Sequence, residues 1–210
     1  MLAALAALPS VSLAHYPTPI EPLDRLRAAL PGAPRILVKR DDAIDFGFGG
    51  NKVRKIEVVA ARAREDGADT LITTGGVQSN HCRVTAAAAA RLGMRCHIVA
   101  NGQAPERPTG NALLDAMFGA TMHYVATREQ RTPAMGALAA RLADEGHHPF
   151  VVPLGASTPL GAVGFVRAVG ELAAQLQDPP DYIFHSTSSG GTQAGLVGGC
   201  ALYGLRSRVI

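Results

Sequence analysis

The stretch TLITTGGVQSNHCRVTAAAAARLGMRCHIVA, residues 70–100, decides the fold class. It opens on a β-rich run, TLITT (70–74), breaks at the glycine pair Gly75 and Gly76, and resumes as a helical pattern from about Asn80 to Leu92. A second β-rich run, RCHIVA (95–100), follows. The alanine run Ala86–Ala90 belongs to the helix, because alanine is the strongest helix former and its flanks continue the pattern. Strand, helix and strand in this order imply an α/β architecture on a parallel sheet, whose ligands gather at the carboxyl ends of the strands.

The same alternation extends outward. Upstream, RILVKR (35–40) reads as a strand, then come a glycine loop and a helix from about Lys52 to Asp66. Downstream, a helix over Asn111–Phe118 leads to a strand at TMHYV (121–125), and a helix to about Glu145 leads to a strand at PFVVP (149–153). A helix from about Leu160 to Leu176, a strand at DYIFHST (181–187) and a helix from about Thr192 to Tyr203 complete the series. The last residues, SRVI (207–210), read as the opening of one more strand. A domain that stops on a bare apolar strand leaves an edge open to pairing, so the sequence is expected to be truncated. At the other end, MLAALAALPSVSLA lacks a basic n-region and is interrupted by Pro9. It reads as a short amphipathic helix and an extended entry segment, not a secretion signal.

Composition narrows the function classes. The 210 residues are 47% hydrophobic and 18% charged, the profile of a globular protein. Aromatics at 5%, with no tryptophan, argue against a base-stacking platform, and the net charge of +3 is spread without a basic stripe. No nucleic-acid or membrane partner is expected, since no stretch reaches the length of a membrane span. Three cysteines (Cys82, Cys96, Cys200) without CxxC spacing predict neither a disulfide framework nor a metal site. These features predict a cytoplasmic protein.

Three strand-to-helix turns carry the candidate chemistry. In GFGGNKVRK (47–55), Gly49 and Gly50 admit close approach of a ligand, Asn51 is placed to cap a helix, and Lys52 falls in its first turn. The macrodipole disfavours a cation there, which lowers the lysine pKa and suits it to attack a carbonyl carbon. Taken alone, Lys52 reads more readily as a surface lysine beside Arg54 and Lys55 on a solvated helix. In TTGGVQSNHCR (73–83), Ser79 or Asn80 caps the next helix, whose free N–H groups suit a carboxylate or phosphate; an ordinary cap beside an exposed histidine is the plainer account. In STSSGGTQAG (186–195), the hydroxyls of Ser188, Ser189 and Thr192 crowd a helix start with Gly190 and Gly191, a cradle for an anion. It is neither a GxxxxGK[ST] loop nor a GxGxxG, which disfavours ATP and NAD. Together the turns ask for a cofactor with a phosphate and an electrophilic carbon, and pyridoxal phosphate has both.

These motifs resemble a known family. PTPIEPLDRL (17–26), KRDD (39–42), GGNKVRK (49–55), GGVQSNHCR (75–83), PLGAVGFVRA (159–168) and SSGGTQAGL (188–196) are similar to the D-cysteine desulfhydrase and 1-aminocyclopropane-1-carboxylate deaminase group of the tryptophan-synthase-β-like, fold type II pyridoxal-phosphate enzymes. The resemblance implies that Lys52 is the Schiff-base lysine, that Ser79 is a catalytic hydroxyl, and that Asn80 bonds the cofactor's phenolic oxygen. It places the substrate carboxylate on the backbone of Ser79, Asn80 and His81, and the phosphate on Ser188 to Thr192. It further implies a homo-oligomer, with a small α/β domain (53–159) inserted into a larger one (1–52 and 160–210). The reaction expected is β-elimination from D-cysteine to pyruvate, hydrogen sulfide and ammonia, because His81 after QSN leans towards the desulfhydrases. Deaminase activity or cysteate sulfo-lyase activity is the alternative, and a truncated, non-catalytic remnant is the alternative of another class.

The remaining candidates read as structural. His147 and His148 lie in a turn without one-face metal spacing. His97 is expected to pack within its strand, Cys82 lacks a base, His185 borders the phosphate turn, and Asp41 and Asp42 are expected to order the loop before Gly47.

Overall fold

The computed structural model describes residues 1–210. Ahead of the lysine loop lie helix α1 (Leu2–Ala7), strand β1 (Ile20–Pro22), a short helix α2 (Asp24–Ala28) and strand β2 (Leu37–Lys39). Strands β1 and β2 pair antiparallel as a separate two-stranded sheet. The run RILVKR therefore stands outside the parallel sheet that the alternation predicts.

Helix α3 (Lys52–Glu65) opens a series of alternating elements: β3 (Thr70–Gly76), α4 (Asn80–Leu92), β4 (Arg95–Asn101), α5 (Gly110–Met117), β5 (Thr121–Val125), α6 (Arg131–Asp144) and β6 (Pro149–Val152). The four strands form one all-parallel sheet in the order β5-β4-β3-β6. Alternate side chains of its central strands feed opposite faces, as the pleat requires. Leu71 and Ile98 join the main core with α3, α4 and the entry-segment residues Val11 and Ala14. Ile72 and Val99 turn the other way, against Met135, Leu138 and Leu142 of α6.

Every residue of α3 from Val53 to Ala61 is buried, so this is no solvated helix. Arg54, only 3% exposed, is neutralised by Asp41 and by Glu171, with Nη2 to Asp41 Oδ1 at 2.7 Å and Nη1 to Glu171 Oε1 at 2.6 Å. Removing such a charge from water is tolerable only with partners of this kind. In α4, His81 through Ala89 are all buried, and the alanines bring neighbours close. A Cβ on Gly47 would stand 3.0 Å from that of Ala87, so the lysine loop rests directly on the alanine run.

Helix α7 (Pro159–Gln175) begins with proline in its first turn, and the Thr158 hydroxyl accepts from the Gly161 N–H at 3.0 Å. It packs on α3 and on α8 (Gly191–Tyr203), where Phe165, Val169, Leu196 and Cys200 form a third apolar cluster. Strands β7 (Tyr182–Ile183) and β8 (Arg208–Val209) pair in parallel. The expected strand at 181–187 is thus confined to two residues, because its partner is equally short; Phe184 has left the ladder and is exposed. The closing apolar run pairs with β7 along one edge.

Candidate active site

Strand order determines where ligands can gather. From β3 the sheet proceeds through β4 to β5 on one side, while β6 lies on the other. The carboxyl ends of β3 and β6 therefore flank a topological switch point, the place where open α/β sheets form a crevice. The turn after β3 is the Gln78–Ser79–Asn80 segment, and the turn after β6 is Leu154–Gly155–Ala156.

The lysine loop closes this end of the sheet. Gly49 and Gly50 have φ of +73° and +99°, backbone that a side chain would strain, and a Cβ on Gly49 would overlap the Asp42 carbonyl oxygen. Asp41 orders the loop twice: its carboxylate holds Arg54, and its carbonyl accepts the Gly50 N–H at 2.9 Å. Asn51 precedes α3, as the sequence suggests, but its side chain makes no cap bond. Its Oδ1 instead accepts from Lys52 Nζ at 3.3 Å.

The chain has only three lysines. Lys39 is tied to Glu171 and to the Thr18 carbonyl, both at 2.9 Å. Lys55 is 1% exposed. Lys52 is half-buried, faces no carboxylate, and burial lowers its pKa. It is therefore the lysine whose amine is reachable, and burial makes it easier to deprotonate than a solvated lysine.

Beyond Lys52 the three turns meet. Gly155, at φ +67°, lies between Lys52 and the 186–192 turn: a Cβ there would stand 3.2 Å from Ser189 Oγ and 4.0 Å from Lys52 Cε. Ser157 donates its hydroxyl proton to the Ser189 carbonyl at 2.8 Å. Helix α8 starts after Gly190, at φ +77°, and no side chain caps it, so its first N–H groups are free for an anion. Below Gly191 stands the Lys55 ammonium, 2.8 Å from where a Cβ would be, with a single long bond to the Gly155 carbonyl at 3.4 Å. Burial, then the neighbouring Lys52, bring its pKa down to about 8. A buried cation without an acid partner beside free N–H groups suits a phosphate, and an accessible amine suits a carbonyl carbon. The residues present fit pyridoxal phosphate.

At α4, Ser79 is the cap: its Oγ accepts from the Cys82 N–H at 3.3 Å. Gly75 makes room for it, since a Cβ there would approach Ser79 Oγ to 2.6 Å. The His81 ring turns inward, with Nε2 2.7 Å from Thr73 Oγ1, and that hydroxyl donates to the Val152 carbonyl at 2.9 Å. His81 Nε2 thus carries the proton, and burial, with Lys52 and Lys55 nearby, holds the ring neutral with a pKa of about 3. At the mouth of this turn only the main chain of His81 is available to a ligand.

Residues that the motifs did not flag complete the site: Lys55, the Gly155–Ser157 turn, and a segment Thr109–Gly110–Asn111 that clasps the Gln78–Asn80 turn. The small residues of LGAS (154–157) after a strand were the available signal for the second; the third has none, because it acts across 31 residues of chain. The other candidates stay structural. Cys82 is buried with its thiol pushed up to about 12, the three cysteines are free, and no cluster of three metal-ligating side chains exists. His147 bonds Asp69 at 3.1 Å, His97 stacks on His123, and His185 bonds the Ser186 carbonyl at 3.1 Å. No helix is long and apolar enough to cross a membrane.

Comparison with known proteins agrees with the cofactor that these residues fit. Residues 11–210 match the family described as "Pyridoxal-phosphate dependent enzyme". The chain is 39% identical, over 98% of its length, to the bifunctional D-cysteine desulfhydrase/1-aminocyclopropane-1-carboxylate deaminase of Arabidopsis thaliana, and covers 55% of that protein. It is 38% identical, over 93% of its length, to a D-cysteine desulfhydrase of Klebsiella pneumoniae, of which it covers 61%. A crystal structure of an ACC deaminase homologue superposes with a TM-score of 0.93 at 38% identity, covering 99% of this chain and 63% of the other. The chain therefore spans little more than half the length of the curated relatives it matches.

Proposed function

This chain belongs to the pyridoxal-phosphate-dependent enzymes, with their fold type II α/β architecture, and from that premise we propose that it is the site-bearing part of a cytoplasmic lyase that eliminates sulfide from D-cysteine and, with one water, yields pyruvate, hydrogen sulfide and ammonia. The observation that carries this is Lys52: the reachable one of three lysines, unpaired with any acid, its pKa lowered by burial. Pyridoxal phosphate, when bound, supplies an electrophilic carbon and an electron sink for a carbanion beside the substrate nitrogen. The chain's own residues do the rest. Lys52 Nζ would hold the cofactor and would accept and return a proton at nitrogen. Ser188, Ser189, Gly190, Gly191 and Thr192, with the charge of Lys55 beneath them, hold the phosphate. The Ser79 main-chain N–H is spent on the Gly76 carbonyl at 3.0 Å, so in the Ser79–His81 backbone the N–H groups of Asn80 and His81 orient the substrate carboxylate. Ser79 Oγ uses a lone pair on the Cys82 N–H and keeps its own proton to donate. The Asn80 side chain meets the phenolic oxygen.

The four parallel strands all fall between residues 70 and 152, and the two small sheets lie outside them. This supports a small domain over 53–159, with 1–52 and 160–210 in the larger one; we take the assembly to be a homo-oligomer. A second activity, deamination of 1-aminocyclopropane-1-carboxylate, is favoured by the double name of the Arabidopsis relative.

Borohydride reduction in the presence of pyridoxal phosphate, with peptide mapping, tests the assignment. The adduct is expected on Lys52 and lost in Lys52→Ala, with Lys39 and Lys55 unmodified. An adduct that survives in Lys52→Ala overturns it. Assays with D-cysteine and with 1-aminocyclopropane-1-carboxylate then separate the two activities.

A further inference from the structure

Asn111, the second residue of α5, touches three parts of the Gln78–Asn80 turn and one residue beyond it. Its main-chain N–H donates to Gln78 Oε1 at 2.8 Å. Its side-chain Nδ2 donates both to the Gln78 carbonyl at 2.8 Å and to Asn80 Oδ1 at 2.9 Å. Its Oδ1 faces Arg83 Nη1 at 3.5 Å, and Arg83 Nη2 donates to the Gly49 carbonyl of the lysine loop at 2.6 Å. Gly110, at φ +53°, leaves the necessary space, since a Cβ there would stand 2.7 Å from Gln78 Oε1.

The two ends of an asparagine amide have nearly the same shape, so partners decide which end points where. For Asn111 the partners allow one answer. A main-chain carbonyl can only accept, which assigns Nδ2 to the Gln78 side; a guanidinium can only donate, which assigns Oδ1 to the Arg83 side. Asn80 must then offer Oδ1 to Asn111, because its Nδ2 would set donor against donor. The Asn80 NH2 is what remains, on an exposed residue at the start of α4. A main-chain carbonyl and a buried arginine thus dictate, through Asn111, which end of Asn80 a ligand meets.

We propose that Asn111 is a positioning residue that locks the Asn80 amide with its NH2 outward, so that an anionic oxygen of the bound ligand meets a donor. The inference rests on the pyridoxal-phosphate reading above, in which that oxygen is the cofactor's phenolate. Asn111→Asp replaces the locking donor by an acceptor. The Asn80 amide then turns to satisfy it and presents its carbonyl oxygen outward, where it repels the phenolate. A donor to the phenolate favours its charged form, so losing the donor also raises the pH at which the bound chromophore titrates.

The test is a double-mutant cycle on the full chain with Asn111→Asp, Asn80→Ala and both, reading pyridoxal-phosphate affinity by absorbance titration and the pH midpoint of the bound chromophore. Each single variant is expected to bind about tenfold more weakly, the worth of one hydrogen bond to a charged group, and to shift the midpoint upward. In the Asn80→Ala background, Asn111→Asp should add less than about twofold, because both act through one donor. An equal loss in that background, or an unshifted midpoint in Asn111→Asp, overturns the proposal. If the aspartate variant fails to fold, Asn111→Ala carries the same cycle, since it keeps the main-chain bond to Gln78. A wild-type chain that forms no borohydride-trapped adduct would instead remove the cofactor reading, and this inference with it; a normal adduct with unperturbed variants removes this inference alone.

Discussion

Lys52 and Lys55 stand one helical turn apart and differ in what surrounds them. Lys52 emerges at the mouth, where its amine can be reached, and Lys55 is sealed under Gly191 with only a carbonyl at 3.4 Å. An ammonium buried without an acid destabilises the fold it sits in, and such a cost is commonly kept where a ligand needs the charge. Lys55→Met should therefore have two effects of opposite sign. The cofactor-free chain is expected to gain about 1–3 kcal/mol in denaturant unfolding, while stabilisation by added inorganic phosphate is lost. A variant that is less stable, with phosphate response intact, would make Lys55 a packing residue. Lys52 itself was visible in the sequence, because a glycine pair and an asparagine announce the helix start that holds it. Lys55 was not: the letters show a basic cluster, and only packing shows which member is buried.

Among the elements, α3 and α7 meet at a distance set by Gly164. A Cβ there would overlap the Arg54 carbonyl oxygen and stand 3.0 Å from the Lys55 nitrogen of the main chain. Gly164→Ala must push the helices apart and is expected to cost about 1–3 kcal/mol, with weaker cofactor binding because the α3 start moves. Gly136, in the exposed middle of α6, has nothing within 4 Å, and Gly136→Ala should stabilise by about 0.5–1 kcal/mol through helix propensity alone. Urea denaturation of the pair reads both signs, and equal effects would mean that the α3–α7 contact is not the constraint. Element positions were well marked in the sequence: α4 and β5 have the predicted bounds, and α3 differs by one residue at its end. The runs at 35–40 and 207–210 were recognised as strands without their partners, since a short apolar run carries no label for its partner, and β1 was not recognised at all.

At the scale of the whole molecule, stability depends on pH through carboxyl groups held in unlike surroundings. Asp115 of α5 is fully buried, neither carboxyl oxygen has a hydrogen-bond partner, and burial raises its pKa from 3.8 to about 7 against the opposing charge of Arg83. A carboxyl whose folded pKa exceeds its unfolded one favours the folded state while protonated. Its contribution is complete below about pH 4 and is lost as pH rises through about 7. The stability of the wild type relative to Asp115→Asn should therefore fall between about pH 4 and 7 and level off above. A flat difference across that range would mean that Asp115 ionises in the folded chain as it does in the unfolded one. The group was invisible in the sequence, where an aspartate in the middle of ALLDAM suggests the polar face of a helix.

By itself the sequence determined the fold class, the order of elements from residue 35 onward, the family and the three turns that meet at the candidate site. Period, propensity and glycine placement are local properties, written in neighbouring letters. Tertiary structure alone decided that β6 lies beside β3, which brings the Gly155 turn to the Gln78–Asn80 turn at a switch point. It decided that Arg54 is paired while Lys55 is not, and that Asn111 reaches across 31 residues to hold Asn80. These are contacts between distant segments, and their energies depend on which side chains share a buried volume, a fact that no window of sequence contains.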